Sequence, residues 1–182
     1  DEAGARRTDT PVLRRLRGDE AARGLEGATA SFIGVAGGRS VVAIETSRDE
    51  VRGHWEHLRA VGWCLDGDDA ALALTALALA GWHANYRYCP RCGAQVQLVS
   101  GGWAARCETC DRLEYPRQDP AIIVLVQDHD GRVLLAHNAL WQPGFVSIIA
   151  GYVEAGESPD VTVAREVAEE VGVEIETPTY VE

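Results

Sequence analysis

Four regularly spaced cysteines constrain the fold of this chain more than any other feature. Cys89, Cys92, Cys107 and Cys110 form two C-x2-C pairs separated by fourteen residues, with a glycine after the first pair. This spacing is typical of a structural zinc ribbon, in which four thiolates close a tetrahedral shell around one Zn²⁺. A closed shell leaves no position for water, so we expect this zinc to hold structure and not to perform hydrolysis.

Two disulfides in a secreted domain are the alternative interpretation of the four cysteines. The first ten residues, DEAGARRTDT, contain no apolar core of a signal peptide, so we favour zinc. The fifth cysteine, Cys64, lies beside Trp63 in an apolar setting, and we predict that it is a small buried side chain and not a nucleophile.

The charge balance limits the possible partners. The 182 residues include 28 acidic and 17 basic side chains, for a net charge of −11. This argues against broad nonspecific binding to nucleic acids or membrane surfaces, so an anionic ligand needs a specific site. The longest apolar run, residues 70–82, is shorter than the ~20 residues of a membrane span and follows three aspartates, so we predict a buried helix.

Composition divides the chain into three parts, which we place at residues 1–84, 85–118 and 119–182. Residues 1–28 have few large apolar groups, and we expect them to be poorly packed. Residues 31–45 predict a hairpin around Gly37-Gly38, and the apolar helix follows. These elements form a small mixed α/β N-terminal domain before the ribbon. In the third part, residues 121–138 predict two strands around Asp130-Gly131, residues 144–151 a third strand, and Pro159 to Val171 a helix.

The last predicted helix concentrates negative charge. Ser158 suits its N-cap, and Gly172 suits the position just past its end. Glu166, Glu169 and Glu170 share one face, where like charges repel. A solvated face or a bound cation would explain the cluster, and hard carboxylate oxygens on a rigid helix suit Mg²⁺ or Mn²⁺. Val163, Val167 and Val171 form an apolar stripe that we expect to pack.

These residues match every fixed position of the Nudix box, so the chain resembles the Nudix hydrolases. The match consists of Gly151, five residues, Glu157, seven residues, and then the run REVAEEVGV over residues 165–173. The resemblance implies an α+β Nudix fold, in which an α-β-α arrangement follows the ribbon. It also implies that the catalytic residues are Glu166, Glu169 and Glu170, which with the Ala150 carbonyl hold the metal.

The resemblance further implies structural roles in the box. Glu157 would pair with Arg165 to brace the loop against the helix, and Gly151 and Gly172 would be conformational positions. The order of parts, with GWHANYRYCPRCG, YPRQDPAIIVLV and AGYVEAGES, resembles the NADH pyrophosphatases of the NudC type. That family hydrolyses NAD(H) to nicotinamide mononucleotide and AMP, removes the NAD cap from RNA 5′ ends, and works as a homodimer. We therefore expect a cytoplasmic enzyme with no membrane partner.

Three substrate contacts are implied by position. Tyr152 is similar to the aromatic residue that stacks on nicotinamide, Tyr115 to a tyrosine behind the ribbon, and Arg59 to an N-terminal arginine, although packing or a surface ion pair would also explain these residues. Gly102 departs from relatives that place an acidic residue near the substrate. The family continues beyond its box with further strands and a helix, so we expect the Nudix fold to be incomplete at Glu182.

Two other functions stay open at the level of sequence. A Nudix enzyme for ADP-ribose or another nucleoside diphosphate derivative would carry the same box. A nonenzymatic protein could use the ribbon to contact RNA and the Nudix part to sense a nucleotide. The intact glutamates argue against lost catalysis, and the few basic residues of the ribbon argue against strong RNA binding of its own.

Overall fold

The computed structural model describes residues 12–17, 27–51 and 53–181. The chain divides into two compact units, Asp1–Arg117 and Gln118–Glu182. Most of the segment predicted to be poorly packed, residues 1–11 and 18–26, lies outside the described residues. The predicted domain boundary between the N-terminal part and the ribbon stays a prediction.

The first unit begins with the predicted hairpin. Strand β1 (Ala30–Ala36) pairs antiparallel with β2 (Arg39–Ile44), and Gly37-Gly38 forms the turn. Both turn glycines have positive φ, 57° and 72°, as a two-residue turn of type I′ requires. The hairpin prediction is confirmed.

A short helix α1 (Leu58–Val61) and a 3₁₀ turn (Gly62–Cys64) lead to the long helix α2 (Gly67–Asn85). Asp66 caps α2, since its side chain accepts a 2.7 Å hydrogen bond from the Asp69 N–H. Leu72 and Leu79 are buried on one face of α2, but Leu74 and Leu77 on the other are 60% and 57% exposed. The predicted helix is therefore present, but the expectation that it is buried holds for one face only.

No helix within the described ranges is both long and apolar enough to cross a membrane.

The prediction that Cys64 is a buried side chain is wrong, while its lack of a nucleophilic role stays a prediction. Trp63 is 84% exposed, and Cys64 is only half-buried. The tight 3₁₀ turn directs the indole outward, where its Nε1–H donates to the Ala60 carbonyl at 3.0 Å. The Cys64 thiol donates to the Val61 carbonyl at 3.0 Å.

The ribbon is a three-stranded antiparallel sheet in the order β3-β4-β5. Its strands are β3 (Val96–Val99), β4 (Ala104–Cys107) and β5 (Leu113–Glu114), and a 3₁₀ turn (Ser100–Gly102) joins the first two. Ala104, Ala105 and Cys107 are buried at its centre.

The turn between β3 and β4 docks on the hairpin. Gly102 has φ +90°, and a Cβ atom there would lie 2.2 Å from the Ser31 hydroxyl oxygen, so only glycine fits. The Trp103 indole N–H donates to the Phe32 carbonyl at 2.6 Å. The departure at Gly102 thus has a structural cause, which is the close approach of the ribbon to β1.

His83 of α2 joins the same contact. Its Nδ1 lies 2.6 Å from a carboxylate oxygen of Glu45, and its Nε2 lies 2.8 Å from the Gly102 carbonyl. The Gly102 carbonyl can only accept, so the Nε2–H of His83 donates to it. The buried imidazole therefore contacts the helix, the end of β2 and the ribbon together.

The second unit is built on a two-stranded sheet and one helix. Strand β6 (Ala121–Val124) pairs antiparallel with β7 (Ile149–Tyr152), so that Ile122 faces Gly151. Helix α3 (Pro159–Val171) packs on both strands. The buried core of this unit consists of Ile122, Ile149, Thr162, Val163 and Val167.

The predicted pairing of two strands around Asp130-Gly131 is wrong in extent. The turn forms, with the Gly131 N–H donating to the Asp128 carbonyl at 2.9 Å, but the pairing beyond β6 is limited to isolated bridges, Gln127↔Val133 and Ala136↔Ser147. The third predicted strand is likewise short, because β7 begins only at Ile149. The side chains of Leu125, Val133 and Leu135 remain exposed. A two-stranded hairpin without a packed apolar face is only marginally stable, which explains why a longer ladder does not form.

Helix α3 has the predicted limits. Gly172 ends it in the left-handed conformation, φ 67° and ψ 25°, and its N–H donates to the Ala168 carbonyl at 3.0 Å. Ser158 occupies the N-cap, but its side chain makes no capping bond. Val163 and Val167 of the predicted stripe are buried, and Val171 is half-buried.

Candidate active site and zinc site

The four ribbon cysteines converge on one point. Their sulfur atoms all lie within 4.8 Å of one another, with Sγ–Sγ distances of 3.5 Å for Cys92 and Cys107, 3.6 Å for Cys89 and Cys110, and 3.7 Å for Cys92 and Cys110. A tetrahedron with Zn–S bonds of about 2.3 Å has sulfur–sulfur edges of about 3.8 Å. Because Cys92 and Cys110 each neighbour two other thiols, the geometry fits one zinc site and not two exclusive disulfides.

Backbone N–H groups of both C-x2-C turns point at these thiols in a repeated pattern. The first cysteine of each pair accepts from the residues two and three positions later, and the second accepts from the residue two positions later: Arg91 and Cys92 for Cys89, Ala94 for Cys92, Thr109 and Cys110 for Cys107, and Arg112 for Cys110. The N–H of Cys110 holds the pKa of the Cys107 thiol below its usual value. Such bonds favour the thiolate that zinc requires.

The predicted pair of Glu157 and Arg165 lies at the centre of the candidate active site, in the second unit. Arg165 Nε donates to one carboxylate oxygen of Glu157 at 2.7 Å, and Nη2 donates to the other at 2.9 Å. This two-bond geometry fixes both planar groups. It joins the loop before α3 to the middle of the helix, as the resemblance implied.

Two further donors reach the Glu157 carboxylate. The Thr162 hydroxyl donates at 2.8 Å, and the Glu154 N–H donates at 3.0 Å. The hydrogen bonds from Arg165, followed by that from the Glu154 N–H, lower the pKa of Glu157 to about 2. Glu157 is therefore ionised whenever this network is intact.

Arg165 also contacts two of the three candidate metal ligands. Its Nη1 donates to a Glu166 oxygen at 2.9 Å and to a Glu169 oxygen at 3.1 Å, and its Nη2 donates to the Tyr152 carbonyl at 3.0 Å. These carboxylates hold the pKa of Arg165 above its usual value, with Glu157 as the largest cause. One guanidinium thus links the end of β7, the loop and the acidic face of α3.

Gly151 lets the Glu166 side chain of α3 approach the backbone of β7 closely. A Cβ atom at position 151 would lie 2.0 Å from the carboxyl carbon of Glu166, so any other residue would displace this side chain. The Glu166 side chain is only 14% exposed, whereas that of Glu169 is 62% exposed. Gly151 therefore leaves the space that the Glu166 carboxylate occupies.

The three glutamates offer the hard oxygen donors that suit Mg²⁺ or Mn²⁺. Glu170 is exposed on α3 beside Glu169, and Ala150 lies in β7, next to Gly151. Within the described ranges, the four cysteines form the one group of three or more metal-binding side chains whose ligand atoms lie within 4.8 Å of one another. The glutamates share a helix face, and Arg165 holds two of them.

The three predicted substrate contacts lie on exposed positions. Tyr152 ends β7 in the second unit, while Tyr115 and Arg59 belong to the first unit. Arg59 forms no ion pair with the residues that the structure describes, so the surface salt bridge is not observed there. Arg165 Nη2 donates to the Tyr152 carbonyl, which holds this end of β7 against the box.

Sequence reasoning missed Thr162. Its side chain is fully buried, and its hydroxyl touches Glu157. The available signal was a hydroxyl residue next to the Val163 stripe, one turn after Ser158. A threonine at a packing position is ordinary, so the pattern alone did not single it out.

Comparison with known proteins agrees with this geometry. Residues 117–182 match the model of the NUDIX domain. Residues 117–182 are therefore a Nudix domain. Residues 84–115 match the NADH pyrophosphatase zinc ribbon domain, which places the four gathered cysteines in a ribbon of that kind. The predicted family, fold class and structural zinc site are confirmed.

Curated relatives cover most of the chain. It is 37% identical over 157 residues to the NAD-capped RNA hydrolase NudC of Mycobacterium tuberculosis, across 83% of this chain and 50% of that protein. It is 38% identical over 138 residues to the NAD-capped RNA hydrolase NudC of Stutzerimonas stutzeri, across 76% and 50%. Nudix hydrolase 19, chloroplastic, of Arabidopsis thaliana is 35% identical over 152 residues, across 82% and 33%. The chain spans about half the length of the bacterial relatives.

Proposed function

We propose that this Nudix protein hydrolyses the pyrophosphate bond of NAD(H) to nicotinamide mononucleotide and AMP, and that it also removes the NAD cap from RNA 5′ ends. The observation that carries the proposal is the braced box, in which Glu157 holds Arg165 and Arg165 holds Glu166 and Glu169. The NADH pyrophosphatase ribbon and the names of the bacterial relatives support the choice of substrate.

The reaction adds water across a phosphoric anhydride. The water oxygen bonds to one phosphorus, the bridging oxygen leaves with the other, and both products are phosphate monoesters. A bound divalent cation supplies charge neutralisation on the pyrophosphate and acidifies water. Glu166, Glu169 and Glu170 would hold this cation, with the Ala150 carbonyl, and the general base is unassigned.

The protein's own residues supply position. Arg165 restrains the Glu166 and Glu169 side chains on one face of α3. The oxygens of the three glutamates are not gathered within 4.8 Å of one another, so the carboxylates would turn toward the cation when it binds. Tyr152, at the end of the strand that carries Gly151, is proposed to stack on the nicotinamide ring. Tyr115 and Arg59 are proposed as further substrate contacts, on the resemblance alone.

Three finer features also belong to the proposal. The catalytic cation is Mg²⁺ or Mn²⁺, because both prefer carboxylate oxygens. The protein acts as a homodimer in the cytoplasm, as the resemblance to the NudC type implies.

The deciding experiment is hydrolysis of NADH by the full-length protein with Mg²⁺ or Mn²⁺. Nicotinamide mononucleotide and AMP are followed by chromatography for the wild type, Glu170→Gln and Glu174→Gln. We expect metal-dependent formation of both products, lost in Glu170→Gln and kept in Glu174→Gln, because Glu174 lies beyond the box.

Absence of cleavage by folded, zinc-loaded protein would contradict the proposal. Turnover of ADP-ribose in its place would identify a different Nudix hydrolase. Nucleotide binding without turnover of any of these substrates would favour a sensor.

A further inference from the structure

Thr162 differs from the other residues of the box region because it is polar and completely buried. The residue is 0% exposed and lies in the first turn of α3. Its hydroxyl oxygen lies 2.8 Å from a Glu157 carboxylate oxygen and 3.1 Å from the Ser158 carbonyl. The box pattern leaves this position unspecified.

The two distances indicate which partner matters. A threonine within a helix commonly donates to the carbonyl four residues earlier, which here is Ser158, and that bond alone would be only local. The Glu157 contact is shorter, and its acceptor is a carboxylate with a strongly lowered pKa. Hydrogen bonds to ionised acceptors are stronger than those to neutral ones, so the hydroxyl proton favours Glu157.

The Thr162 hydroxyl restricts the rotation of the Glu157 carboxylate. One Glu157 oxygen accepts from Thr162, the Glu154 N–H and Arg165 Nη2, and the other accepts from Arg165 Nε. Turning the carboxylate about its bond would break the paired contact with the guanidinium. Thr162 and the Glu154 N–H hold the plane that Arg165 requires.

We infer that Thr162 is a positioning residue for the divalent-metal site, because its hydroxyl orients Glu157, which orients Arg165, which in turn holds Glu166 and Glu169. The inference rests on the proposed function in that these glutamates hold the cation. Thr162 touches neither cation nor substrate, so its effect is on the affinity of the site for the metal.

The test uses two substitutions with opposite consequences. Thr162→Val keeps the branched shape and removes the hydroxyl, whereas Thr162→Ser keeps the hydroxyl and removes a buried methyl group. Mn²⁺ binding to the zinc-loaded full-length protein is measured by electron paramagnetic resonance without substrate, and Glu170→Gln identifies the signal that belongs to the box. Thermal unfolding is recorded for every variant.

The two substitutions should differ in their effects on Mn²⁺ affinity and on thermal stability. Partners that directly contact a metal ligand change metal affinity about 10-fold to 100-fold. The Thr162 hydroxyl lies two contacts further out, so we expect Thr162→Val to raise the Kd for Mn²⁺ by less, about 3-fold to 10-fold. Thr162→Ser should bind Mn²⁺ within about 2-fold of the wild type although it unfolds at a lower temperature, because it leaves a small cavity. Rescue by serine is a result that a purely structural role would not produce.

Three outcomes would overturn the inference. The first is Thr162→Val binding Mn²⁺ like the wild type. The second is a loss in both variants that follows their loss of stability. The third is Mn²⁺ binding by the wild type that does not depend on Glu170, since the box would then hold no cation. If the wild type binds Mn²⁺ at the box but cleaves neither NADH nor capped RNA, the proposed reaction fails while the Kd comparison still decides the role of Thr162.

Discussion

At the scale of single residues, the site depends on one close approach. Gly151 is the point at which a helix carboxylate reaches the backbone of a strand, and the space that it leaves is occupied by Glu166. A substitution there acts on the position of the carboxylate, because backbone and helix cannot both move without separating α3 from β7.

We expect Gly151→Ala to weaken Mn²⁺ binding and NADH turnover by at least about 10-fold, and to destabilise the protein by about 1–3 kcal/mol, as overpacked sites do. Its Cβ atom would lie 2.0 Å from the Glu166 carboxyl carbon. Gly81→Ala is the matched control, because a Cβ atom at this helical position meets nothing within 4 Å. Normal metal affinity in Gly151→Ala would contradict the inference that Gly151 leaves the space that the Glu166 carboxylate requires.

The ionisation of Glu157 makes a pH prediction. Its pKa is lowered from 4.5 to about 2, chiefly by Arg165, so its ionised form favours the folded state. That contribution is complete above the unfolded pKa and is lost as the pH falls from about 5 to about 2. We therefore expect the gap in unfolding free energy between the wild type and Glu157→Gln to shrink over this range.

Urea unfolding of the two proteins at several pH values measures this gap. Comparing them at each pH cancels the acid sensitivity of the zinc ribbon, which both share. Glu174→Gln, which removes a carboxylate beyond the box, serves as the control. A gap for Glu157→Gln that does not change with pH would count against the ionised pair.

At the scale of elements, the ribbon depends on contacts from outside its own sheet. His83 reaches it from α2, and the Phe32 carbonyl reaches it from β1. The short strands β3, β4 and β5 present a small core, so these contacts and the zinc must supply much of its order.

We expect His83→Gln to destabilise the first unit by about 1–3 kcal/mol. Both N–H donors of the amide lie on one nitrogen, so they cannot occupy the positions of the two ring nitrogens, and one of the two acceptors loses its partner. Urea unfolding measures the change, and amide hydrogen exchange at Gly102 and Trp103 locates it. His54→Gln is the control, since His54 is exposed. Unchanged amide exchange in His83→Gln would show that the imidazole does not stabilise the contact between the ribbon and the hairpin.

At the scale of the whole molecule, zinc and the divalent cation do different work. The zinc shell is closed by four thiolates and belongs to the fold of the first unit, whereas the carboxylates of α3 belong to the second. Removing zinc should therefore unfold the ribbon before any chemistry is affected directly.

We expect native mass spectrometry to find one zinc ion per chain, and chelation to expose four additional thiols to alkylation without any reductant. Loss of the ribbon's protected amides should accompany chelation. Cys92→Ser should bind zinc more weakly than the wild type, and Cys64→Ser should bind it normally, because Cys64 lies outside the cluster. A requirement for reductant before alkylation would indicate disulfides.

Local patterns predicted much of this protein. The C-x2-C spacing identified the zinc ligands, and the capping signals at Ser158 and Gly172 located the ends of α3. These features depend on the residues immediately around them. The strands after β6 were overestimated because alternation of apolar residues predicts a strand, while ladder formation also requires a surface on which to pack.

What the sequence by itself determined is the set of groups: four thiolates, three box glutamates, their arginine, and the glycine that precedes them. Only the tertiary structure decided how these groups are held. It placed Thr162 on Glu157, bonded His83 to two acceptors, and pressed Gly102 against Ser31. The physical reason is range, because spacing along a chain determines geometry over a few residues, whereas a contact between distant segments exists only once their packing has brought them together.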